Sequence, residues 1–268
     1  MKVVILAGGL GTRLAEETEL KPKPMVEIGG RPMLWHIMKL YAHFGFKEFV
    51  LALGYKGESI KRFFLDYKDL GGDLTVNLGT GKVKRHQTDR DDWIVHLVDT
   101  GMDTMTGGRI KRLEPWLKDE TFMLTYGDGI SNIDPNLVLE FHRSAKCVVT
   151  VTAVRPPARF GGVEIDGAFV RKFTEKPQIG EGWINGGFMV CDPGLFNYLE
   201  GDHSSLEAHA MERLSTENKL GAYRHDDFWQ CMDTLRDVRM LQSLWQTSQP
   251  PWRVWNSTDS ADGPEPLP

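Results

Sequence analysis

A glycine-rich segment near the start of the chain has residue types suited to binding a polyphosphate. The apolar run at residues 3–7 predicts a buried strand, and it leads directly into the sequence GGLGTR at residues 8–13. Glycine lets the backbone approach a ligand closely, and the successive N–H groups of such a loop can hold an anion. Arg13 and Lys23 add two cations to this region. The segment therefore predicts a site for phosphate groups.

Two common phosphate-binding motifs do not fit this loop. A Walker A loop requires Lys-Ser or Lys-Thr after its last glycine, and neither dipeptide follows Gly11. A dinucleotide fingerprint requires a small residue at the position that Leu14 occupies. An ordinary strand-to-helix turn is a third interpretation of the glycines alone. Arg13 and the Lys-Pro-Lys-Pro run at residues 21–24 favour the phosphate site over that turn.

Two aspartates are candidates for holding a divalent metal ion. Asp128 follows a predicted apolar strand at residues 122–126, and open α/β sheets bind ligands beyond the carboxyl ends of their strands. Mg²⁺ usually takes one or two carboxylates together with phosphate oxygens and water. Asp128 also fits a simple turn before glycine, and Asp233 also fits an N-cap for the helix predicted from Thr234. The residue pattern alone leaves both alternatives open.

Two further segments carry residues that could contact a ligand. Lys176 follows a predicted strand and precedes Pro177, so its backbone is expected to be extended, and its ammonium could pair with a phosphate. The sequence TGGR at residues 106–109 places two glycines before a predicted helix, where Thr106 and Arg109 could contact a base or phosphates. A solvated lysine and a surface arginine at a helix-entry turn are the alternative interpretations.

The order of the predicted elements is that of an α/β protein. Strands at residues 3–7 and 49–53 alternate with helices at about residues 34–44 and 58–67, which predicts a doubly wound, mostly parallel, Rossmann-like sheet. We expect one domain over residues 1–246, with small added β-rich and C-terminal helical parts. It carries a polar, irregular insertion at about residues 70–92. A C-terminal extension at residues 247–268 is expected to be disordered at its end.

Composition narrows the class of protein further. The 268 residues suit one large domain, and a hydrophobic content of 41% with a charged content of 26% is ordinary for a soluble protein. A net charge of −5 argues against a nucleic-acid partner, and no apolar run approaches the ~20 residues that span a membrane. Three widely spaced cysteines predict neither a metal site nor a disulfide set. With no signal peptide evident, we expect a cytoplasmic protein.

Several segments, in order along the chain, resemble the sugar nucleotidyltransferases, which join a sugar 1-phosphate to a nucleoside triphosphate. These segments are LAGGLGTRL, KPKPM, MTGGR, TYGDG, FTEKP, INGGF and FWQCMDTLRD. The resemblance implies nucleotide contacts from Leu6, Ala7, Gly8, Gly9, Gly11, Thr12, Arg13, Lys23, Thr106, Arg109 and Asp128. It implies sugar contacts from Tyr126, Gly127, Glu175, Lys176, Asn185 and Gly186. It implies Mg²⁺ at Asp128 and Asp233, and catalytic roles for Arg13, Lys23, Asp128 and Lys176.

The segments MTGGR, TYGDG and FWQ-MDTLRD resemble the cytidylyl-transferring branch of that family. Cys231 departs from the proline expected there. The resemblance implies that CTP and glucose 1-phosphate react to CDP-glucose and pyrophosphate, in a homo-oligomer. One alternative is the same reaction with dTTP, UTP or another sugar 1-phosphate. A second is a catalytically silent nucleotide-sugar sensor, and a third is an NAD-dependent oxidoreductase, which Leu14 disfavours.

Overall fold

A computed structural model describes residues 1–11, 14, 21–70, 73–86, 91–156, 162–166, 169–174 and 182–255. The strands are β1 (Lys2–Leu6), β2 (Glu27–Ile28), β3 (Arg31–Pro32), β4 (Glu48–Leu53), β5 (Leu74–Asn77), β6 (Lys82–Arg85), β7 (Ile94–Asp99), β8 (Phe122–Tyr126), β9 (Gly129–Ser131), β10 (Val149–Val154), β11 (Gly162–Asp166), β12 (Phe169–Thr174), β13 (Ile184–Cys191), β14 (Leu220–His225) and β15 (Trp229–Cys231).

Within the described residues, seven α-helical segments and three other helical turns connect these strands. The α-helices are α1 (Met33–His43), α2 (Gly57–Leu70), α3 (Thr106–Arg112), α4 (Glu114–Leu117), α5 (Pro135–Ala145), α6 (Glu212–Thr216) and α7 (Leu235–Trp245). Turns of 3₁₀ helix lie at Lys23–Met25 and Pro193–Tyr198, and a π-helical turn lies at Leu206–Met211. Among the residues that the structure describes, no helix has the length and apolar character needed to cross a membrane.

A seven-stranded sheet in the order β14-β10-β13-β8-β1-β4-β7 is the centre of the fold. Every neighbouring pair is parallel except the two that include β13, which runs antiparallel to both β8 and β10. The predicted doubly wound, mostly parallel sheet is therefore confirmed. Because β1, β4 and β8 point the same way, their carboxyl ends share one edge, where such sheets bind ligands.

Apolar side chains from both faces of the sheet explain the continuous hydrophobic runs in the sequence. In β1, Val3 and Ile5 pack into one buried cluster with α1, whereas Val4 and Leu6 pack into a second cluster with α3. Successive strand residues point to opposite faces, so a strand covered on both sides must be apolar throughout. These two cores fix the position of the sheet edge on which the polar site residues lie.

The insertion at residues 70–92 contains regular structure that the sequence analysis did not predict. Strands β5 and β6 form an antiparallel hairpin in which Val76 lies opposite Val83. Asp91, near the end of the insertion, accepts hydrogen bonds from Lys39 Nζ at 2.7 Å and from the Tyr67 hydroxyl at 2.6 Å. The expectation of an irregular segment is wrong for the hairpin. Its many polar residues make the short alternation of apolar and polar side chains in the two exposed strands hard to recognise.

The first part of the C-terminal extension packs against the core. Trp252 and Trp255 are 1% and 4% exposed, and both rings lie close to His36 on helix α1. Trp252 Nε1 also donates to His36 Nδ1 at 3.4 Å. The division at residue 246 stays a prediction, as does disorder at the end of the extension, since residues 256–268 lie outside the described part.

We predict that the extension contributes to stability through Trp252. Replacing it by alanine removes a fully buried indole and leaves a cavity, so the free energy of unfolding should fall by about 3–5 kcal/mol. Chemical denaturation followed by circular dichroism measures the change. Trp116, which is 44% exposed, provides the control, and Trp116→Ala should cost much less. Equal losses in the two variants would contradict a packing role for the extension.

Candidate active site

A cleft of about 470 Å³ opens at the edge formed by the carboxyl ends of β1 and β8. It brings together predicted site residues from distant parts of the chain, namely Leu6, Ala7, Gly8, Gly9, Gly11, Lys23, Thr106, Arg109, Tyr126, Gly127, Asp128 and Asp233. Its wall also includes residues that the sequence analysis did not select, namely Pro24, Thr104, Met105, Ser205 and Glu207. Thr12, Arg13, Glu175 and Lys176 lie outside the described residues, and their roles stay predictions.

The glycine-rich loop is held by backbone hydrogen bonds to the neighbouring strands. Tyr55 N donates to Gly8 O at 3.2 Å, and Gly127 N donates to Leu6 O at 3.1 Å. Gly11 has a φ of +64°, a conformation that glycine adopts without a Cβ clash. The loop therefore has a defined backbone where a phosphate could approach its N–H groups.

Arg109 supports this loop from the buried side. Its guanidinium donates to Gly8 O at 2.9 Å, to Gly101 O at 2.7 Å and to Leu53 O at 3.1 Å. It is 4% exposed, and burial lowers its pKa from the ordinary arginine value. A Cβ on Gly8 would lie only 2.3 Å from Arg109 Nη1, so this glycine leaves room for the arginine. These bonds fix the loop itself, and the contact of Arg109 with a base or phosphate stays a prediction.

Lys23 lies between the two aspartates predicted to hold a metal ion. Its Nζ is 2.6 Å from Asp128 Oδ2 and 2.5 Å from Asp233 Oδ1. Burial lowers the pKa of Lys23, but attraction and hydrogen bonds from the two carboxylates outweigh that effect and raise it overall. Two carboxylates from separate parts of the chain thus converge on one cationic group.

A short strand pair near the cleft brings those aspartates together. Strand β15 pairs antiparallel with β9, and Met232 N donates to Asp128 O at 2.8 Å. Asp128 precedes β9 and Asp233 follows β15, so the pairing sets both carboxylates at one end. This ladder was not predicted, since three-residue strands carry too little periodicity to be recognised.

The residue that caps helix α7 is Thr234 rather than Asp233. The Thr234 side chain accepts from Asp237 N, and the Asp237 carboxylate accepts from Thr234 N at 2.9 Å and from Asp233 N at 3.0 Å. The Asp233 carboxylate is therefore directed to Lys23 instead of the helix end. Cys231 Sγ, at the position where the resembling family has proline, lies 3.8 Å from Asp233 Oδ2.

The oxygen donors at this point suit a hard divalent cation such as Mg²⁺. No group of three or more His, Cys, Asp or Glu side chains is placed to hold a metal in the described part of the chain. Proteins usually supply only one or two carboxylates to Mg²⁺, and phosphates and water complete the coordination. Asp128 and Asp233, which share Lys23 as a cationic partner, match that number.

Glu207 is a cleft residue that the sequence analysis missed. Its carboxylate accepts hydrogen bonds from the hydroxyls of Tyr126, Thr106 at 2.7 Å and Ser205 at 2.9 Å. Desolvation raises the pKa of Glu207, but these hydrogen bonds outweigh it, so the net pKa is below the usual value. No motif marked this residue, because a glutamate in the first turn of a helix is ordinary.

The predicted sugar-contacting segment lies beside Tyr126. Gly187 N donates to Asn185 Oδ1 at 2.9 Å, and Trp229 Nε1 donates to Gly186 O at 2.7 Å. Gly187 has a φ of +82°, and a Cβ there would lie 2.6 Å from the Tyr126 ring. Strand β13 therefore carries this segment to the side of Tyr126 away from β1, since β8 separates β1 from β13.

The fold and the cleft define an α/β enzyme with a glycine-rich loop and a carboxylate pair, and comparison with known proteins agrees. Residues 2–250 match the Nucleotidyl transferase family, to which the chain belongs. It is 46% identical over 256 residues to glucose-1-phosphate cytidylyltransferase of Salmonella typhi, covering 95% of this chain and 100% of that protein. It is 41% identical to a probable glucose-1-phosphate cytidylyltransferase of Bacillus subtilis, with the same coverage.

A solved structure supports the fold at lower identity. HddC from Yersinia pseudotuberculosis superimposes with a TM-score of 0.65 and 23% identity, covering 91% of this chain and 99% of that one. At this identity the similarity supports the architecture of the sheet and not the choice of substrate.

Proposed function

We propose that the chain transfers a cytidylyl group from CTP to α-D-glucose 1-phosphate, which gives CDP-glucose and pyrophosphate. The observation that carries this proposal is the meeting of Lys23, Asp128 and Asp233 beside the glycine-rich loop. The full-length similarity to the Salmonella and Bacillus enzymes supports the choice of substrates. The product would serve deoxysugar and surface polysaccharide (O-antigen) synthesis in the cytoplasm.

The chemistry requires positioning and charge neutralisation rather than a protein base. An anionic oxygen of the sugar phosphate attacks the α-phosphorus of CTP, an O–P bond forms, and the bond to the leaving pyrophosphate breaks in line. The attacking oxygen is already an anion, so no proton has to be removed. The backbone N–H groups of the loop at residues 8–11 and the Lys23 ammonium would hold the triphosphate. From the family resemblance, Arg13 and Lys176 would hold further phosphate oxygens.

Asp128 and Asp233 would hold Mg²⁺ when nucleotide is bound. The ion would neutralise charge on the phosphates of the nucleotide. Lys23 would then exchange carboxylate partners for phosphate oxygens, because its flexible stem carries a compact charge that can reach either. The two aspartates would therefore have a cationic partner both with and without bound nucleotide.

The nucleotide and the metal can be tested in one assay. We expect pyrophosphate release with CTP and glucose 1-phosphate to exceed release with dTTP, UTP, ATP or GTP, and EDTA to abolish it. Mannose 1-phosphate and galactose 1-phosphate serve as sugar controls. Faster release with dTTP or UTP would contradict the base assignment. Binding of CTP without any pyrophosphate release would instead identify a nucleotide-sugar sensor.

Lys23→Ala should separate catalysis from folding. Loss of one electrostatic contact to the transferred group is typically worth ~3 kcal/mol, so kcat should fall about a hundredfold. Lys21→Ala is the matched control, because Lys21 is near in sequence but pairs with Glu27 at the surface. Circular dichroism at the assay temperature reports the folded fraction. If unfolding of Lys23→Ala accounts for its whole loss of activity, the assigned role is wrong.

We also propose that the chain forms a homo-oligomer through the hairpin of the insertion. Leu74, Val76 and Val83 share one face of β5 and β6 and are all exposed, and Leu78 at the turn is 92% exposed. Apolar side chains concentrated on one exposed hairpin are typical of a contact with another chain.

A charge on the hairpin should disrupt that assembly. Val76→Asp places a carboxylate on the apolar face, so the mass measured by analytical ultracentrifugation should fall towards that of one chain. Leu137→Asp, at a 47% exposed position on helix α5, is the control and should leave the mass unchanged. A wild-type protein that sediments as a single chain, or a Val76→Asp variant of unchanged mass, would contradict the proposal.

A further inference from the structure

A second carboxylate group in the cleft, that of Glu207, has a different set of partners from the carboxylates of the Lys23 cluster. Glu207 lies in the π-helical turn Leu206–Met211, and one-turn departures from α-helical geometry are frequent at functional sites. One carboxylate oxygen accepts from the Tyr126 hydroxyl, and the other accepts from Thr106 and Ser205. These bonds join the end of β8 to the start of helix α3 across the cleft wall.

The ionisation states of Glu207 and Tyr126 determine the direction of the hydrogen bonds between Glu207 and its partners. A carboxylate can only accept, so the hydroxyls of Tyr126, Thr106 and Ser205 must each donate their single proton to Glu207. Thr106 Oγ1 in turn accepts from Leu206 N at 3.0 Å. Burial and the adjacent Glu207 charge raise the pKa of Tyr126, so its hydroxyl keeps its proton at neutral pH.

This arrangement determines what Tyr126 can offer to a substrate. Its only proton is used by Glu207, so the phenolic oxygen has only lone pairs left and can bind only donors. The Tyr126 ring lies next to Gly187 of β13, and a hydrogen bond from the Asn185 side chain lowers the Tyr126 pKa by less than burial and Glu207 raise it. Sugar hydroxyls are donors, whereas the phosphate oxygens of a nucleotide are not.

We propose that Glu207 is a positioning residue for the sugar substrate, holding the Tyr126 hydroxyl so that its oxygen accepts a hydrogen bond from one sugar hydroxyl. This inference rests on the proposed nucleotidyl transfer to a sugar 1-phosphate. The negative charge of Glu207 also disfavours the triphosphate on this wall and so favours its binding at the glycine-rich loop and Lys23. Glu207 would act through Tyr126 without touching the reacting phosphorus.

Deoxy analogues of the sugar phosphate test this assignment. The 2-, 3-, 4- and 6-deoxy forms of glucose 1-phosphate each remove one possible donor. Wild type should lose about tenfold or more in kcat/KM with the one analogue that lacks the contacted hydroxyl. In Glu207→Gln the amide can itself donate, which frees the Tyr126 proton. KM for glucose 1-phosphate should then rise about tenfold, with kcat and KM for CTP within about twofold, and the penalty for that analogue should disappear.

Two further variants keep the result interpretable. Tyr126→Phe removes the hydroxyl and should reproduce the Glu207→Gln pattern, and the double variant should be no worse than Tyr126→Phe alone, because both changes remove the same contact. Glu212→Gln, at an exposed position in helix α6 five residues after Glu207, is the control and should behave as wild type.

The outcomes separate this inference from the proposed function. Three results would overturn the positioning role. The first is additive effects in the double variant, and the second is equal penalties for all analogues in wild type and Glu207→Gln. The third is a change in preference between CTP and UTP. If Glu207→Gln does not fold, the same analogue series with Tyr126→Phe decides the matter, since retained discrimination there also overturns it. Wild-type inactivity with every nucleotide and sugar 1-phosphate would overturn both proposals.

Discussion

The convergence of Asp128 and Asp233 on Lys23 is the interaction on which the rest of the cleft depends. Two carboxylates at such short range repel each other strongly unless a cation lies between them. The three residues come from the segment after the glycine-rich loop, the end of β8 and the segment after β15. The fold must therefore bring three separate regions of the chain together before the charges of Lys23, Asp128 and Asp233 can offset one another.

Two supports around that cluster have different chemistry. Arg109 donates a hydrogen bond to Gly8 O and so fixes the backbone of the glycine-rich loop. Glu207 accepts hydrogen bonds from the hydroxyls of Tyr126 and Thr106, so the oxygens of these hydroxyls can bind only donors. The cationic Lys23 beside the loop suits phosphates, and the acceptor oxygens around Glu207 suit a polyol.

Long, strongly patterned elements could be predicted from the sequence, and short or composite ones could not. The apolar strand before Asp128 and the helices on the sheet follow directly from periodicity. The assignment of Asp233 needed the family resemblance, because its local pattern equally fits a helix cap. Glu207 could not be selected, because its partners Thr106 and Tyr126 are 101 and 81 residues away in sequence. Trp252 was assigned to an extension expected to be disordered at its end, because Pro and Ser in that region outweighed two aromatic residues.

The pairing of β15 with β9 affects the order in which parts of the molecule fold. Lys23 and Asp233 are 210 residues apart in sequence, so their contact closes one of the longest loops in the chain. Closing long loops is entropically costly and tends to occur late in folding. During synthesis the glycine-rich loop and Lys23 emerge first, and the second carboxylate emerges only with the last strand. An incomplete chain would thus carry the glycine-rich loop without the charge cluster, which forms only once β15 has paired with β9.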